Sequence, residues 1–199
     1  GSLDLEGRLA ELSKKGVLGS KCQKGSANRP PEVIKTLKPK KGYGGSDKRV
    51  GPVRNLLIDL TAACFAGSSR ACNSGINSLD QYAELDAPLE NKQANSSKSL
   101  RTANDYVMNT SFISHSVNFL SVYDQQVGLS KQQLASFDNW LKNIVRRYRK
   151  EGCNSNKPVD YSEHGHRKPW STQNHCISSA ISSAALGSWL NDKKLLNEG

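Results

Sequence analysis

The sequence predicts an all-α protein built from antiparallel helix hairpins. Apolar residues recur at three- and four-residue spacings over most of the chain after residue 50, as they do on one face of a helix. The period-two alternation typical of strands is nearly absent. Gly, Pro and polar stretches separate the periodic segments, as expected for helices joined by turns. A chain of 199 residues is long enough to form one domain with a sizeable core.

Residues 1–49 are predicted to form an extended N-terminal loop region. The stretch SANRPPEVIKTLKPKKGYGGSDKR, residues 26–49, contains turn-forming residues throughout, so we do not expect it to contribute to the core. One short helix is expected within residues 3–13. Residues 50–199 are predicted to form a helical domain.

Two helices are predicted in the first part of this domain. The first is expected to end at Gly67, and its apolar positions are Val53, Leu56, Leu57, Leu60 and Cys64. The second should end before Pro88, and its apolar positions are Ile76, Leu79 and Ala83.

Two longer helices are predicted next. The third should run from near Ser97 to about Tyr123, with apolar positions at Leu100, Ala103, Val107, Val117 and Leu120. The fourth has the clearest local signal, because Ser130 and Gln133 have the spacing of a capping box. Its apolar face comprises Leu134, Phe137, Leu141, Ile144 and Tyr148. Gly152 is expected to end it.

A polar loop over residues 153–173 is expected to precede the fifth helix. Asn174 and His175 should open this helix and face a groove, while the opposite face is buried. The residues expected on the buried face are Ile177, Ala180, Ile181 and Ala184. Trp189 is a further apolar position of this helix, and a sixth helix should begin within NDKKLLNEG at residues 191–199.

The charge balance favours a polyanionic partner. Lys and Arg number 28 against 18 Asp and Glu, so the formal net charge is +10. Anionic polysaccharide, nucleic acid and anionic membrane surfaces all fit this charge. Aromatic residues make up only 7%, and no nucleic-acid recognition motif occurs, so nucleic acid is not the expected partner. No stretch is long and apolar enough to span a membrane, and a monomer is expected.

Cysteine and histidine spacing predicts no metal site. The five cysteines form neither CxxC nor zinc-finger spacing: Cys22, Cys64, Cys72, Cys153 and Cys176. One or two disulfides in an oxidising compartment and buried free thiols are both compatible with this set. Glu163, His164 and His166 lie close together and are chemically suited to zinc, but HxH in a polar loop is more often a solvated surface feature.

The Asn174–His175 pair is the strongest candidate for chemistry. A neutral imidazole near pH 7 can accept a proton, and an adjacent amide can donate to a carboxylate or a developing oxyanion. A helix-capping Asn beside a surface His is the alternative interpretation. No phosphate-binding loop, dinucleotide fingerprint, zincin motif or hydrolase elbow occurs in the chain.

Three segments resemble motifs of the alginate lyase family, the all-helical, mannuronate-cleaving polysaccharide lyases of family five. They are YGGSDK at 43–48, NSSKSLRTANDY at 95–106 and QNHCISSAISSAAL at 173–186, in the order and approximate spacing of the family. The resemblance runs from about Cys22 to the C-terminus. It implies a partial (α/α) toroid with a cleft, and cleavage of alginate-like polyuronate by β-elimination without metal or organic cofactor. It also implies a periplasmic or secreted location.

The resemblance implies roles for individual residues. Asn174 resembles the Asn that neutralises the uronate carboxylate, and His175 resembles the His that acts as, or assists, the base. Lys98 and Arg101 resemble a pair at the cleft wall, with Lys98 as the substrate contact. Arg167 is a further substrate-binding candidate. The residues that match a mobile lid loop, in the lid-like segment 43–48, are Tyr43, Ser46, Asp47 and Lys48.

The chain departs from the family pattern at two places. Gln173 replaces the first Asn of the motif, and Cys176 and small residues follow His175 where the family has aromatic residues. The family's catalytic Tyr and a partner Arg lie downstream of this motif, whereas 24 residues follow His175 here. Two hypotheses therefore stay open: a polysaccharide lyase, whole or in part, and a non-catalytic helical protein that binds acidic polysaccharide.

Overall fold

The computed structural model describes residues 30–37, 48–89, 100–149 and 170–198, without the side chains of 100–110, 146–149, 170–179 and 198. Within these residues the chain forms six helices and no strand, so the all-α prediction is confirmed. The helices are α1 (Val50–Phe65), α2 (Ser69–Glu84), α3 (Leu100–Gln126), α4 (Lys131–Arg149), α5 (Trp170–Leu190) and α6 (Lys193–Glu198).

The helices form two layers. α3 packs most extensively against α1 and α5, and these three helices form one row. α2 and α4 pack against each other beside this row, and α6 packs against the end of α5. The short connections α1–α2 and α3–α4 reverse the chain, so each hairpin contributes one helix to each layer.

The junction between α1 and α2 follows from local chemistry. Gly67 adopts a φ of 88°, the left-handed conformation that glycine tolerates best. The Ser68 N–H donates to the Ala63 carbonyl at 3.0 Å and the Gly67 N–H donates to the Cys64 carbonyl at 2.9 Å, which completes a Schellman motif. The Ser68 hydroxyl then accepts from the Ala71 N–H and caps α2. The predicted end of α1 at Gly67 is confirmed.

The predicted capping box at the start of α4 is also confirmed. The Ser130 N–H donates to the Gln133 side-chain oxygen at 3.2 Å, and the Gln133 N–H donates to the Ser130 hydroxyl at 3.1 Å. Each side chain satisfies a backbone donor that the first turn of the helix leaves unpaired.

The extended segment 30–37 belongs to the core, which contradicts the sequence prediction for this stretch. Ile34 and Leu37 are each 2% exposed. The Tyr82 hydroxyl accepts from the Ile34 N–H at 3.0 Å and donates to the Glu32 carbonyl at 2.8 Å. The Leu37 N–H donates to the Leu89 carbonyl. Because Tyr82 of α2 and Leu89, which follows this helix, supply these partners, an extended stretch without its own helix is held in the interior. The remainder of 1–49, including the predicted helix within 3–13, lies outside the described residues except for Lys48 and Arg49.

Buried aromatic rings join the two layers. The Trp140 ring lies 6.1 Å from each of the Tyr82 and Phe112 rings and 6.4 Å from the Phe137 ring, between centroids. Its N–H donates to the Ala87 carbonyl at 2.6 Å. Residues of α2, α3 and α4 therefore share one aromatic cluster. The apolar positions predicted for α1 and α2 are buried or packed against this core.

A disulfide joins α1 to α2. Cys64 and Cys72 are bonded across the tight junction, and both are buried. The sequence is compatible with disulfides and with free thiols, and the structure shows a disulfide for these two cysteines. The side chains of the other three cysteines lie outside the described part of the chain.

Gly75 allows α2 and α3 to approach closely. A Cβ atom at this position would overlap the buried ring of Phe119. We expect Gly75→Ala to lower the free energy of unfolding by about 1–3 kcal/mol, because the overpacking outweighs the better helix propensity of alanine. Gly51→Ala is the matched control, since a Cβ atom there meets nothing within 4 Å. Denaturant unfolding should show that Gly51→Ala has an unchanged or higher free energy of unfolding. An equal loss in both variants would contradict the close contact between Gly75 and Phe119.

Candidate functional site

α1 and α3 run in the same direction. Val50 and Val53 of α1 lie beside Phe112 of α3, around a gap that leaves no room for a water molecule. Tyr82 of α2 also packs on Phe112, and Gly75, about two turns earlier in α2, lies against Phe119, so α2 runs opposite to α3. Because the tight turn at Gly67 makes α1 and α2 antiparallel, α1 runs parallel to α3.

The end of α5 is bonded to α4. The Trp189 ring N–H donates to a carboxylate oxygen of Asp138 in α4 at 2.8 Å, which places the end of α5 beside the first half of α4. α4 begins close to the end of α3 and runs back along it, as the contact between Phe112 and Trp140 shows. The end of α5 therefore lies beside the middle of α3, against which it packs.

The predicted site residues belong to the beginnings of α1, α3 and α5, and the first turn of α1 lies beside Phe112, about three helical turns past the start of α3. Lys48 is exposed in the turn that leads into α1. Arg101 belongs to the first turn of α3, and Asn174 and His175 belong to the second turn of α5. The predicted site residues that lie outside the described residues are Tyr43, Ser46, Asp47, Lys98 and Arg167.

The start of α5 differs from the prediction. The helix begins at Trp170, four residues before Asn174, because the helical conformation extends into the stretch predicted as loop. Asn174 is therefore an internal helix residue, and the capping alternative for it is wrong.

The buried side of α5 also differs from the prediction. Ile181 was expected in the core but is 55% exposed, whereas Ser182 and Leu186 are 3% and 0% exposed. Small or apolar residues occur all around this helix, so its periodicity does not define one buried side. The contacts with α3 and α6 decide it instead.

Helical spacing shows whether each candidate residue lies on the exposed or on the buried side of α5. Residues seven apart lie on nearly the same stripe of an α-helix. Asn174 shares the stripe of Ile181 and Ser188, which are both exposed. His175 shares the stripe of Ser182 and Trp189, which face the neighbouring helices. The two residues of the motif therefore occupy different stripes of α5.

His115, a histidine with a perturbed pKa, lies in the middle of α3. Burial lowers the pKa of His115 below its ordinary value of 6.5, and the nearby Arg54 guanidinium lowers it further. Both effects disfavour the charged imidazolium in the folded protein. This histidine was not singled out by its sequence context, because the burial and the cation both come from the packing of α1 on α3.

We expect His115 to make the protein less stable at mildly acidic pH. The unfolded chain binds a proton at this residue at higher pH than the folded chain, so stability falls as pH drops below about 6.5 until the folded pKa is passed. His115→Gln should therefore lose less stability than wild type between about pH 7.5 and pH 5. Thermal unfolding at both pH values measures this, and parallel pH dependence of the two proteins would contradict it.

No group of three or more His, Cys, Asp or Glu residues with metal-binding geometry occurs among the described residues. Glu163, His164 and His166 lie outside them, so the predictions of no metal and no cofactor stay predictions. In the part of the chain that the structure describes, no helix combines the length and apolar character needed to cross a membrane.

Comparison with known proteins adds no identity. The chain matches no protein-family model, no curated protein and no solved structure. The functional assignment therefore depends on the sequence motifs and on the arrangement of the helices that carry them.

Proposed function

We propose that this protein is a polysaccharide lyase, whole or in part, that cleaves alginate-like polyuronate by β-elimination. The observation that carries the proposal is the presence of three motifs, at residues 43–48, 95–106 and 173–186, in the order and approximate spacing of the alginate lyase family. The all-helical structure of the described residues agrees with the helical fold of that family.

The two-layer arrangement supports the proposed toroid. Each hairpin contributes one helix to the row and one to the outer layer, and a curved series of such hairpins closes into an (α/α) toroid. The cleft is proposed beside the beginnings of α3 and α5, which carry the second and third motifs. The net charge of +10 suits the capture of a polyanion there by long-range attraction.

The proposed reaction explains the residue types. The C5 proton of a 4-linked uronate is only weakly acidic, so the carboxylate charge must be offset before that proton can leave. The Asn174 amide and the cations Lys98 and Arg101 would supply this stabilisation. His175 would take the C5 proton, the C4–O bond would break, and a C4=C5 double bond would form. The leaving oxygen takes up a proton.

We also propose a periplasmic or secreted location. The Cys64–Cys72 disulfide supports it, because disulfides persist in oxidising compartments and are rare in the cytosol. Alginate-like polymers are too large to enter a cell uncut, so the proposed substrate calls for the same location.

The test is incubation of the protein with polymannuronate while the ultraviolet absorbance of the unsaturated uronate product is followed. The lyase requires a rise in absorbance. Polymer binding that weakens with added salt, without any product, would instead assign the binding-only alternative. If neither product nor polymer binding is detected, the lyase and the binding-only alternative are both wrong. Tight binding of duplex nucleic acid without polyuronate affinity would indicate a nucleic acid partner.

A charge-matched pair of variants locates the polymer on the surface. Lys98→Ala should weaken polymer binding, because a cation at the proposed cleft is lost. Lys142→Ala removes the same charge from the exposed surface of α4, outside the α1–α3–α5 row, and should have little effect. Equal losses in both variants would mean that the net charge attracts the polymer without a localised site.

A further inference from the structure

The positive charge of the protein is distributed unevenly. The formal net charge is +10, but cations and carboxylates are nearly balanced among the side chains that the structure describes. Most of the excess therefore belongs to other residues of the chain. One concentration of it falls within a helix, because the last turn of α4 contains Arg146, Arg147 and Arg149. Asp138 is the only acidic residue of α4, so the second half of this helix carries positive charge alone.

Side-chain contacts fix the direction of α4. The Gln133 side-chain amide donates to a carboxylate oxygen of Asp80 at 3.5 Å. Seven residues later in both segments, the Trp140 ring N–H donates to the Ala87 carbonyl at 2.6 Å. α4 therefore runs in the direction of α2 and opposite to α3. The contact between the rings of Phe112 and Trp140 sets the level at which α3 and α4 pass each other.

The end of α4 consequently lies level with the beginning of α3. Seven residues of helix advance by about 10 Å, so the last turn of α4 reaches the level of residues 103–106 of α3. Ile144 is fully buried and Val145 packs against the core, which holds α4 in place up to the turn that contains the arginines. This turn is thereby placed next to the second motif of the sequence, at residues 95–106.

The resulting set of cations is unfavourable for folding by itself. Arg101 belongs to the first turn of α3, which contains no acidic residue, and a cation at a helix N-terminus opposes the helix dipole. The arginines of α4 suit the dipole of their own helix, but they add like charge beside Arg101. Asp105 supplies one carboxylate at this level, which is fewer than the arginines present. Local arrangements that cost stability are expected at functional sites, and the functional partner of this one is an anion.

We propose that the last turn of α4 and the first turn of α3 form one basic surface, composed of Arg101, Arg146, Arg147 and Arg149, that binds the carboxylates of an acidic polysaccharide. The identity of the polymer rests on the proposed function, whereas the gathering of the arginines does not. Lys142 lies farther from the start of α3 and is not part of this surface.

The chemistry of the arginine side chain suits this ligand. A guanidinium group can pair with a carboxylate through two parallel hydrogen bonds, and a polyuronate carries one carboxylate on each sugar unit. Successive units of one polymer can therefore be held by successive arginines. The basic surface extends the proposed cleft from the start of α3 onto α4, so it lengthens the stretch of polymer that the protein holds.

The experiment measures binding of polymannuronate to the full chain by calorimetry at low and moderate salt. The variant Arg146→Gln/Arg147→Gln/Arg149→Gln should raise Kd on the order of 10-fold at low salt, because three exposed charge contacts are lost. The difference from wild type should shrink as salt is added. The matched control, Lys131→Gln/Lys193→Gln/Lys194→Gln, removes the same charge from exposed lysines at the start of α4 and in α6. Its Kd should change by less than about twofold.

A charge-keeping variant separates binding from helix stability. Replacing the same three arginines by lysine keeps the charge but not the two-bond geometry, so its affinity should fall between wild type and the glutamine variant. Thermal unfolding of each variant shows whether the end of α4 is intact. If the triple glutamine variant does not fold, Arg147→Gln and Arg149→Gln singly decide, with smaller losses in the same direction.

Turnover gives a second readout if the protein is a lyase. The arginine-to-glutamine variant should raise KM and largely keep kcat, because a contact with distant sugar units holds substrate and transition state equally. Wild type that binds polymer without forming product would contradict the lyase, while the arginine variants would still decide on the basic surface. Product formation with wild-type Kd and KM in the arginine variant would support the lyase and overturn the surface.

Two further results would overturn the inference. Equal losses of affinity in the arginine and lysine variants would show that net charge attracts the polymer without this surface. A loss of thermal stability with unchanged polymer binding would assign the arginines to the dipole of α4 alone.

Discussion

Replacing His175 by alanine should reduce turnover of polymannuronate by about 10²–10⁴-fold, the range typical for loss of a general base. The C5 proton has to pass to a nearby group while the C4–O bond breaks, and alanine offers no acceptor. Binding of the polymer should be largely kept, because the cations that attract it are unchanged. Product absorbance gives the rate, and a salt-dependent binding assay gives the affinity.

His115→Gln is the matched control for this experiment. It also removes an imidazole, but from a position about four helical turns past Arg101 along α3, away from the cleft proposed beside the beginnings of α3 and α5. We expect its turnover to stay near that of wild type. A comparable loss in both variants, or undiminished turnover in His175→Ala, would remove His175 from the reaction even if the protein proves to be a lyase.

Replacing Trp140 by alanine should lower the free energy of unfolding by about 3–5 kcal/mol. The side chain is 2% exposed and packs against three other aromatic rings from α2, α3 and α4. The variant creates a cavity at the contact between the layers. It also leaves the Ala87 carbonyl without its 2.6 Å donor. Since a domain is typically stable by about 5–15 kcal/mol, this variant should be close to unfolding.

Two further variants separate the contributions at this position. Trp140→Phe keeps much of the ring packing but loses the donor, so its loss should be clearly smaller than that of alanine. Val127→Ala, at a residue that is 56% exposed, should change stability by less than about 0.5 kcal/mol. Denaturant unfolding measures all three. If Trp140→Ala lost no more stability than Val127→Ala, the aromatic cluster would not be a main source of the stability of the fold.

Much of the helical organisation could be predicted because its causes are local. The Ser130–Gln133 capping box and the stop at Gly67 depend on side chains and backbone conformations within a few residues. The buried positions of α1 also follow from spacing, because this helix has a distinct apolar side. Local signals of this kind do not depend on which other helix comes to lie nearby.

The candidate site could be predicted only as a set of separate motifs. The sequence places Asn174 beside His175, but it does not show which helices lie next to α5. The bond between Trp189 and Asp138 and the packing of α5 on α3 show this. Ile181 was misassigned for a related reason, since α5 lacks a polar side that would mark the solvent.

The sequence by itself determined the helical class, the helix junctions and the residue types available for chemistry on a polyanion. Only the tertiary structure decided that segment 30–37 enters the core, that Cys64 pairs with Cys72, and that α3 packs against both α1 and α5. The physical reason is the range of the interactions. Caps and helical periods act within one or two turns, whereas the Tyr82 hydroxyl satisfies backbone groups 48 and 50 residues away, a partnership that exists only once the chain has folded.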